Sequence, residues 1–176
     1  MTHTIIAGSG GLLFQKKREP VKFWIITVLC SVIADADVVG FRLGIEYNSF
    51  WGHRGFFHSL FFALLFAFIC ALLFFREHVL FSRKWWRYML FFSILGASHS
   101  ITDAFTSGGY GIALLSPFDT TRYFFPFTPI EVAPISIRKF LSCQGIRVMA
   151  SEIICIWLPI FIFGFWPRIA KKARIA

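Results

Sequence analysis

The stretch His53-Arg54-Gly55-Phe56-Phe57-His58-Ser59-Leu60-Phe61-Phe62-Ala63-Leu64-Leu65-Phe66-Ala67-Phe68-Ile69-Cys70-Ala71-Leu72-Leu73-Phe74-Phe75 joins two kinds of sequence that rarely meet in a soluble protein. Its first third carries two imidazoles and a guanidinium, and the rest is uninterrupted hydrocarbon and aromatic surface. A run of about 20 apolar residues crosses the hydrocarbon of a bilayer as a helix, because in lipid every backbone polar group must bond within its own segment. The run 58–75 approaches that length, as do three others, at about 21–41, 88–105 and 151–167.

The whole chain agrees with this reading. Of its 176 residues 57% are hydrophobic, more than one soluble core of that size can bury, and mean hydropathy is +0.68. Charged residues make up 15%, and the net charge of +9 gathers into short clusters between the apolar runs, which suits anchoring beside a membrane and gives no case for nucleic acid. Cys30, Cys70, Cys143 and Cys155 lie far apart, three of them inside apolar runs, and read as small packing residues. The expectation is an all-α membrane protein in one polytopic domain, 1–176, with four transmembrane helices, an N-terminal half-helix and a long outer loop, 106–150.

Three basic clusters set the orientation. Lys16, Lys17, Arg18 and Lys22 precede the first span, Arg76, Arg83, Lys84 and Arg87 separate the second from the third, and Arg168, Lys171, Lys172 and Arg174 follow the fourth. The positive-inside rule makes all three cytoplasmic and turns the 42–57 and 106–150 loops outward, against the weight of Arg122, Arg138, Lys139 and Arg147 in the longer loop. The stretch before Lys16 is short and carries Gly8, Gly10 and Gly11, so it predicts a half-helix rising from the cytoplasmic edge and ending near His3. It precedes its basic cluster, the reverse of a secretory signal, and reads as part of the mature protein. Pro117, Pro126, Pro129 and Pro134 among many aromatics predict an interfacial flap over 106–150, able to gate or bind a lipid.

Ionisable groups in membrane spans are costly and face a cavity or one another. Here Asp35 and Asp37 end the first span, His53 and His58 open the second, and His99 and Asp103 close the third. At ~1.5 Å per helical residue, counting from the nearest basic residue puts Asp35 roughly 20 Å deep, His99 roughly 18 Å, Asp103 roughly 24 Å, His58 roughly 27 Å and His3 roughly 21 Å. Five counts thus converge on one layer, in the outer half of a hydrocarbon core about 30 Å thick. His99 and Asp103, four apart, share a helix face as two ligands, or a ligand and its orienting carboxylate, require. Asp35 and Asp37 cannot share a face of a regular helix, so one is a direct ligand with the other behind it, or the helix ends there. His53 and His58 bracket a glycine-containing turn whose shape their spacing leaves open.

Imidazole and carboxylate without thiolate suit zinc or manganese, one ion or two, and such an ion lowers the pKa of a coordinated water to near neutrality, giving the metal-bound hydroxide of a hydrolase. Asp35, His53, His58, His99 and Asp103 are the expected ligands, with His3 a further one and Asp37 a catalytic or second ligand position. Arg54 is the expected anion clamp, because a guanidinium matches phosphate bidentately. The parts fit phosphoester hydrolysis on a lipid or lipid-linked substrate best, and the same metal water would also serve a carboxylic ester. Glu46, Asp119, Glu131 and Glu152 read as solvated. Thr106-Ser107-Gly108-Gly109-Tyr110-Gly111 departs from the potassium-filter pattern by an extra Gly and Ser and reads as a turn giving backbone approach to the site.

At these residues the chain resembles the YdjM-like family of bacterial membrane-bound proteins assigned as metal-dependent hydrolases. The shared features are Thr2-His3 followed by Gly8, the Asp35-x-Asp37 pair, His53-Arg54-Gly55-x-x-His58-Ser59, and His99-x-x-x-Asp103-x-x-Thr106 with Gly108 or Gly109 after it. The resemblance implies a hydrolase of the bacterial inner membrane with the matching His and Asp residues as metal ligands. Two rivals come from other classes: a proton or divalent-cation transporter or channel, which would need polar groups through both bilayer halves where this chain has Phe, Leu, Ile and Trp, and a non-catalytic assembly protein whose polar cluster ties helices together.

Overall fold

A computed structural model describes residues 2–15, 18–134 and 136–166; Lys16, Lys17 and the C-terminal cluster of Arg168, Lys171, Lys172 and Arg174 lie outside the described residues. The chain is helical, and among the described residues it holds no strand, only two isolated bridges, Thr106 to Ile130 and Ile112 to Tyr123. The helices are α1 (Thr2–Phe14), α2 (Val21–Val32), α3 (Leu60–Phe74), α4 (Arg83–Ala104), the short α5 (Ile137–Phe140) and α6 (Cys143–Glu152). A 3₁₀ segment, Ile33–Leu43, continues α2, another, Phe56–His58, leads into α3, and π turns at Ile153–Trp157 and Ile160–Phe165 carry α6 onward.

Two of these helical stretches, Val21–Leu43 and Cys143–Phe165, are 23 residues each and apolar enough to cross a bilayer, while the apolar α3 has 15 residues. The second stretch buries only 6% of its apolar window inside the protein. A window this apolar and so little covered is suited to lipid. The same logic is written on α3, which is inside out by soluble standards. Its buried residues are Ala63, Ala67, Cys70 and Ala71, while Leu64, Leu65, Ile69, Leu72 and Leu73 are exposed. Small residues inward and leucines outward is the pattern expected of helices packed in lipid, where close approach stabilises and hiding leucine does not. Gly96 of α4 completes the fit, since a Cβ there would stand 2.9 Å from Ala63 Cβ.

Beneath the polar layer the core is dry and aromatic: Phe23, Ile26 and Cys30 of α2 meet Ala67, Cys70 and Phe75 and, from α4, Tyr88 and Phe92. All four cysteines are free, Cys30 and Cys70 in this core and Cys143 exposed. At its lower edge Arg87 donates to the Phe14 carbonyl and lies 4.1 Å over the Phe14 ring, Tyr88 donates to Glu19 at 2.8 Å, and Lys22 pairs with Glu77 at 2.7 Å.

Element boundaries depart from the expected ones where serine side chains cap the backbone. The third helix starts at Arg83, five residues early, because Ser82 accepts from Trp85 N–H as its N-cap. The second starts at Leu60, because Ser59 accepts from Phe62 N–H, which leaves His58 in the preceding 3₁₀ turn. The last helix begins at Cys143, so the expected loop 106–150 ends eight residues sooner. Arg122 is no free surface charge: it donates to the carbonyls of His53, Tyr47 and Ser49 and staples the 47–53 loop.

Candidate metal centre

The switch from α to 3₁₀ winding after Val32 decides where the two aspartates go. With 3.0 residues per turn, Ala34, Asp37 and Gly40 fall on one line, and all three are buried. Asp37 is thereby driven inward beneath the histidines, and Asp35, two residues earlier, emerges on a neighbouring face with its side chain 48% exposed. The α-helix does end before the two aspartates, and the 3₁₀ winding that follows sends their side chains to different faces.

Four donor atoms come together from three elements: Asp35 from the 3₁₀ segment after α2, His58 from the 3₁₀ turn before α3, and His99 and Asp103 from α4. His58 Nε2 and His99 Nε2 are 3.3 Å apart; Asp35 Oδ1 lies 3.7 Å from the first and 3.4 Å from the second; Asp103 Oδ2 lies 3.6 Å and 3.9 Å from them. These separations run from 3.3 to 3.9 Å, and the four ligand atoms all lie within 4.8 Å of one another, close enough for one ion to reach them all. Asp35, His58, His99 and Asp103 form one set able to hold a metal ion, and Asp37, His53 and His58 form another.

The imidazole tautomers are fixed from behind. His99 Nδ1 lies 2.8 Å from the Ser31 carbonyl oxygen, which only accepts, so Nδ1 carries the proton and Nε2 presents a lone pair. His58 Nδ1 stands 3.0 Å from Asp37 Oδ2, out of line for a hydrogen bond, a charge contact that favours the proton on Nδ1. Carboxylate or carbonyl behind imidazole in front is the usual outer support of a metal-binding histidine. Asp37 serves two rings at once, since its other oxygen is 2.7 Å from His53 Nδ1, and it also accepts from the Arg54 backbone N–H at 3.2 Å.

The remaining expected site residues surround this set. His3, on the first turn of α1, stacks on His99 with centroids 3.7 Å apart, and its Nε2 is 3.4 Å from Asp103 Oδ1. It borders the four-donor set without belonging to it. Arg54 is buried, with Nη1 donating to the Gly108 carbonyl at 2.7 Å, Nη2 to Thr106 Oγ1 at 2.9 Å, and Nε 3.6 Å from Asp103 Oδ2. It holds the glycine-rich turn against the site while lining the cavity there. Gly109, at φ +86°, closes over it, and a Cβ would meet the Arg54 guanidinium and the Tyr47 hydroxyl at 2.8 Å.

A cavity of about 360 Å³ opens above the donors. His3, Asp35, His53, Arg54, Asp103 and Thr106 form its floor and walls; Ile130 to Pro134 of the long loop and Glu152 of α6 complete it. Glu131 and Glu152, which read as solvated in the sequence, are therefore cavity residues. Nothing in their spacing signals this, because a proline-rich loop and a distant helix bring them there.

The YdjM inner membrane protein family model matches residues 1–173. The chain is also 33% identical over 164 residues to the inner membrane protein YbcI of Escherichia coli (strain K12), covering 90% of each chain. No solved structure matches it.

Proposed function

The chain belongs to the YdjM inner membrane protein family, and on that premise we propose that it is a membrane-embedded, metal-dependent hydrolase acting on a phosphoester of a lipid or lipid-linked substrate. One observation supports the metal: the Nε2 atoms of His58 and His99 stand 3.3 Å apart with two carboxylate oxygens beside them, an arrangement that a cation among the four stabilises. Asp35, His58, His99 and Asp103 hold that ion, and zinc suits four nitrogen and oxygen donors at these spacings best. A second ion in the set of Asp37, His53 and His58 would have to break the 2.7 Å contact between Asp37 and His53, so one ion is the preferred count.

When bound, the ion supplies a Lewis acid and a water that ionises near neutral pH. The chain's own groups do the rest. His53 lines the cavity with Nδ1 held by Asp37, leaving Nε2 to take a proton from the attacking water. Arg54 offers its remaining N–H donors to the phosphoryl oxygens. The layer beneath is apolar, which supports a blind pocket over a transport path.

In the membrane, α2 with its 3₁₀ extension, α3, α4 and α6 with its π turns are the four crossing helices, α1 enters part-way, and the cavity opens toward the outer face. The test is metal analysis of the detergent-purified chain beside His58→Ala and Asp103→Ala, followed by release of phosphorylated headgroup from mixed micelles. About one zinc per chain, lost in both variants, with headgroup release by the loaded protein alone, is the expected result. A wild-type chain without bound metal removes the reading.

A further inference from the structure

A second cavity lies behind the loop that carries His53 and Arg54. It measures about 130 Å³, room for roughly four water-sized groups, and its polar lining comes from Asn48, Ser49, Ser116, Thr120 and Arg122. It shares no lining residue with the cavity above the metal set.

Among the described residues that line it, Arg122 is the one cation, and no carboxylate is present. A guanidinium has five N–H donors. Arg122 spends three bonds on the carbonyls of His53, Tyr47 and Ser49, which leaves Nε–H and one N–H of Nη1. Those partners are neutral. Arg54 has Asp103 at 3.6 Å and Lys22 has Glu77 at 2.7 Å, but among the described residues no carboxylate stands in salt-bridge range of Arg122. A half-buried guanidinium bonded only to carbonyls keeps its charge for an anion that enters.

Ser116 gives an independent sign of a ligand. It is 0% exposed at the floor of this cavity, and its Oγ has no hydrogen-bond partner. A buried hydroxyl without a partner is costly and rare, and it marks a place where a polar group from outside completes the bonding. At the rim, the Thr120 hydroxyl and the Asn48 amide are exposed and bond to no described residue. Trp51, Leu115 and Phe118, chain neighbours of lining residues, are also exposed, so apolar surface borders the mouth.

We propose that this cavity binds a phosphoryl group at a place separate from the metal centre, with Arg122 meeting its charge and Ser116 donating its hydroxyl proton to a phosphoryl oxygen. A guanidinium with free donors beside hydroxyls, and no carboxylate to compete, is the recognition chemistry of a tetrahedral oxyanion. Free phosphate and the headgroup of an anionic lipid present the same oxygens to it.

The test is calorimetric titration of the full chain, purified in neutral detergent, with inorganic phosphate. The wild type binds about one phosphate per chain that Ser116→Val, whose methyl groups fill the floor, fails to bind at unchanged metal content. Ser116→Ala removes only the hydroxyl and weakens the same binding about tenfold, so the result does not depend on the bulkier variant folding. Arg122→Lys keeps the charge, loses the planar fork and weakens it likewise. Phosphate held at the metal centre is indifferent to Ser116→Ala, which separates the two places. Dihexanoyl phosphatidic acid identifies the source: binding tighter than that of phosphate, with the same loss in Ser116→Ala, assigns a lipid headgroup, and weaker binding assigns free phosphate. Equal binding in wild type and Ser116→Ala, or no binding of either compound by the wild type, leaves the cavity to water and overturns the proposal. A chain that hydrolyses nothing still binds phosphate here, and one that hydrolyses lipid without this binding keeps only the hydrolase reading, so the two fail separately.

Discussion

Asp37 Oδ2 stands 3.0 Å from His58 Nδ1, in a pocket where neither side chain meets solvent. The carboxylate fixes which nitrogen of His58 carries the proton and so which one faces the donor set. Asp37→Asn keeps the shape but can present an amide N–H to either ring, and it weakens this orientation. Zinc affinity of the purified variant falls about 10- to 100-fold, by competition with a chelating dye, whereas Asp35→Ala loses the metal outright. Equal affinities in Asp37→Asn and wild type would place Asp37 outside the support of the site.

Gly96 lets α4 lie directly on Ala63 of α3, one helical turn below His99. Gly96→Val drives two methyl groups into that contact and pushes α4, which carries His99, away from α3, whose preceding 3₁₀ turn carries His58. The expected cost is about 1–3 kcal/mol in unfolding from detergent, with weaker zinc binding, and Ala63→Gly in the same chain restores part of both. Wild-type zinc affinity in Gly96→Val would mean the helix spacing does not set the donor spacing.

Cys143 is exposed at the start of α6, while Cys30 and Cys70 are buried. With the long loop facing outward, a membrane-impermeant maleimide added to intact spheroplasts labels Cys143, and Cys143→Ser abolishes the signal. Labelling only after the membrane is opened would invert the proposed orientation.

On the opposite edge, Lys22 donates to Glu77 at 2.7 Å and to the Phe74 carbonyl at 2.9 Å, and the ammonium holds the Glu77 carboxyl below its ordinary range. A carboxyl with a lowered folded pKa contributes stability above its unfolded pKa and loses it as pH falls. The difference in thermal midpoint between wild type and Glu77→Gln is therefore present at neutral pH and closes below about pH 4. A difference independent of pH would assign Glu77 a role other than this pair.

Much of the site was legible because charge inside an apolar run is expensive. Asp35, Asp37, His53, His58, His99 and Asp103 stand out by that cost alone, and the depth counts put Asp35, His58, His99, Asp103 and His3 in one layer. The counts did not distinguish coordinating from supporting groups. That division depends on the α to 3₁₀ change after Val32, which turns Asp37 under two imidazoles. Arg54 was visible as a cation beside the site, but its bonds to Gly108 and Thr106 depend on a turn more than fifty residues away.

By itself, then, the sequence determined the membrane as solvent, the helical class and the membership of the polar layer, because hydrophobicity and the cost of buried charge are local properties that add along the chain. Only the tertiary structure decided which nitrogen points at which oxygen, and that Glu131 and Glu152 border the same cavity as Asp103. Those are distances between segments far apart in sequence, fixed by helix winding, by the close contact at Gly96 and by the clasp from Glu131 to Ser151. No periodicity encodes them.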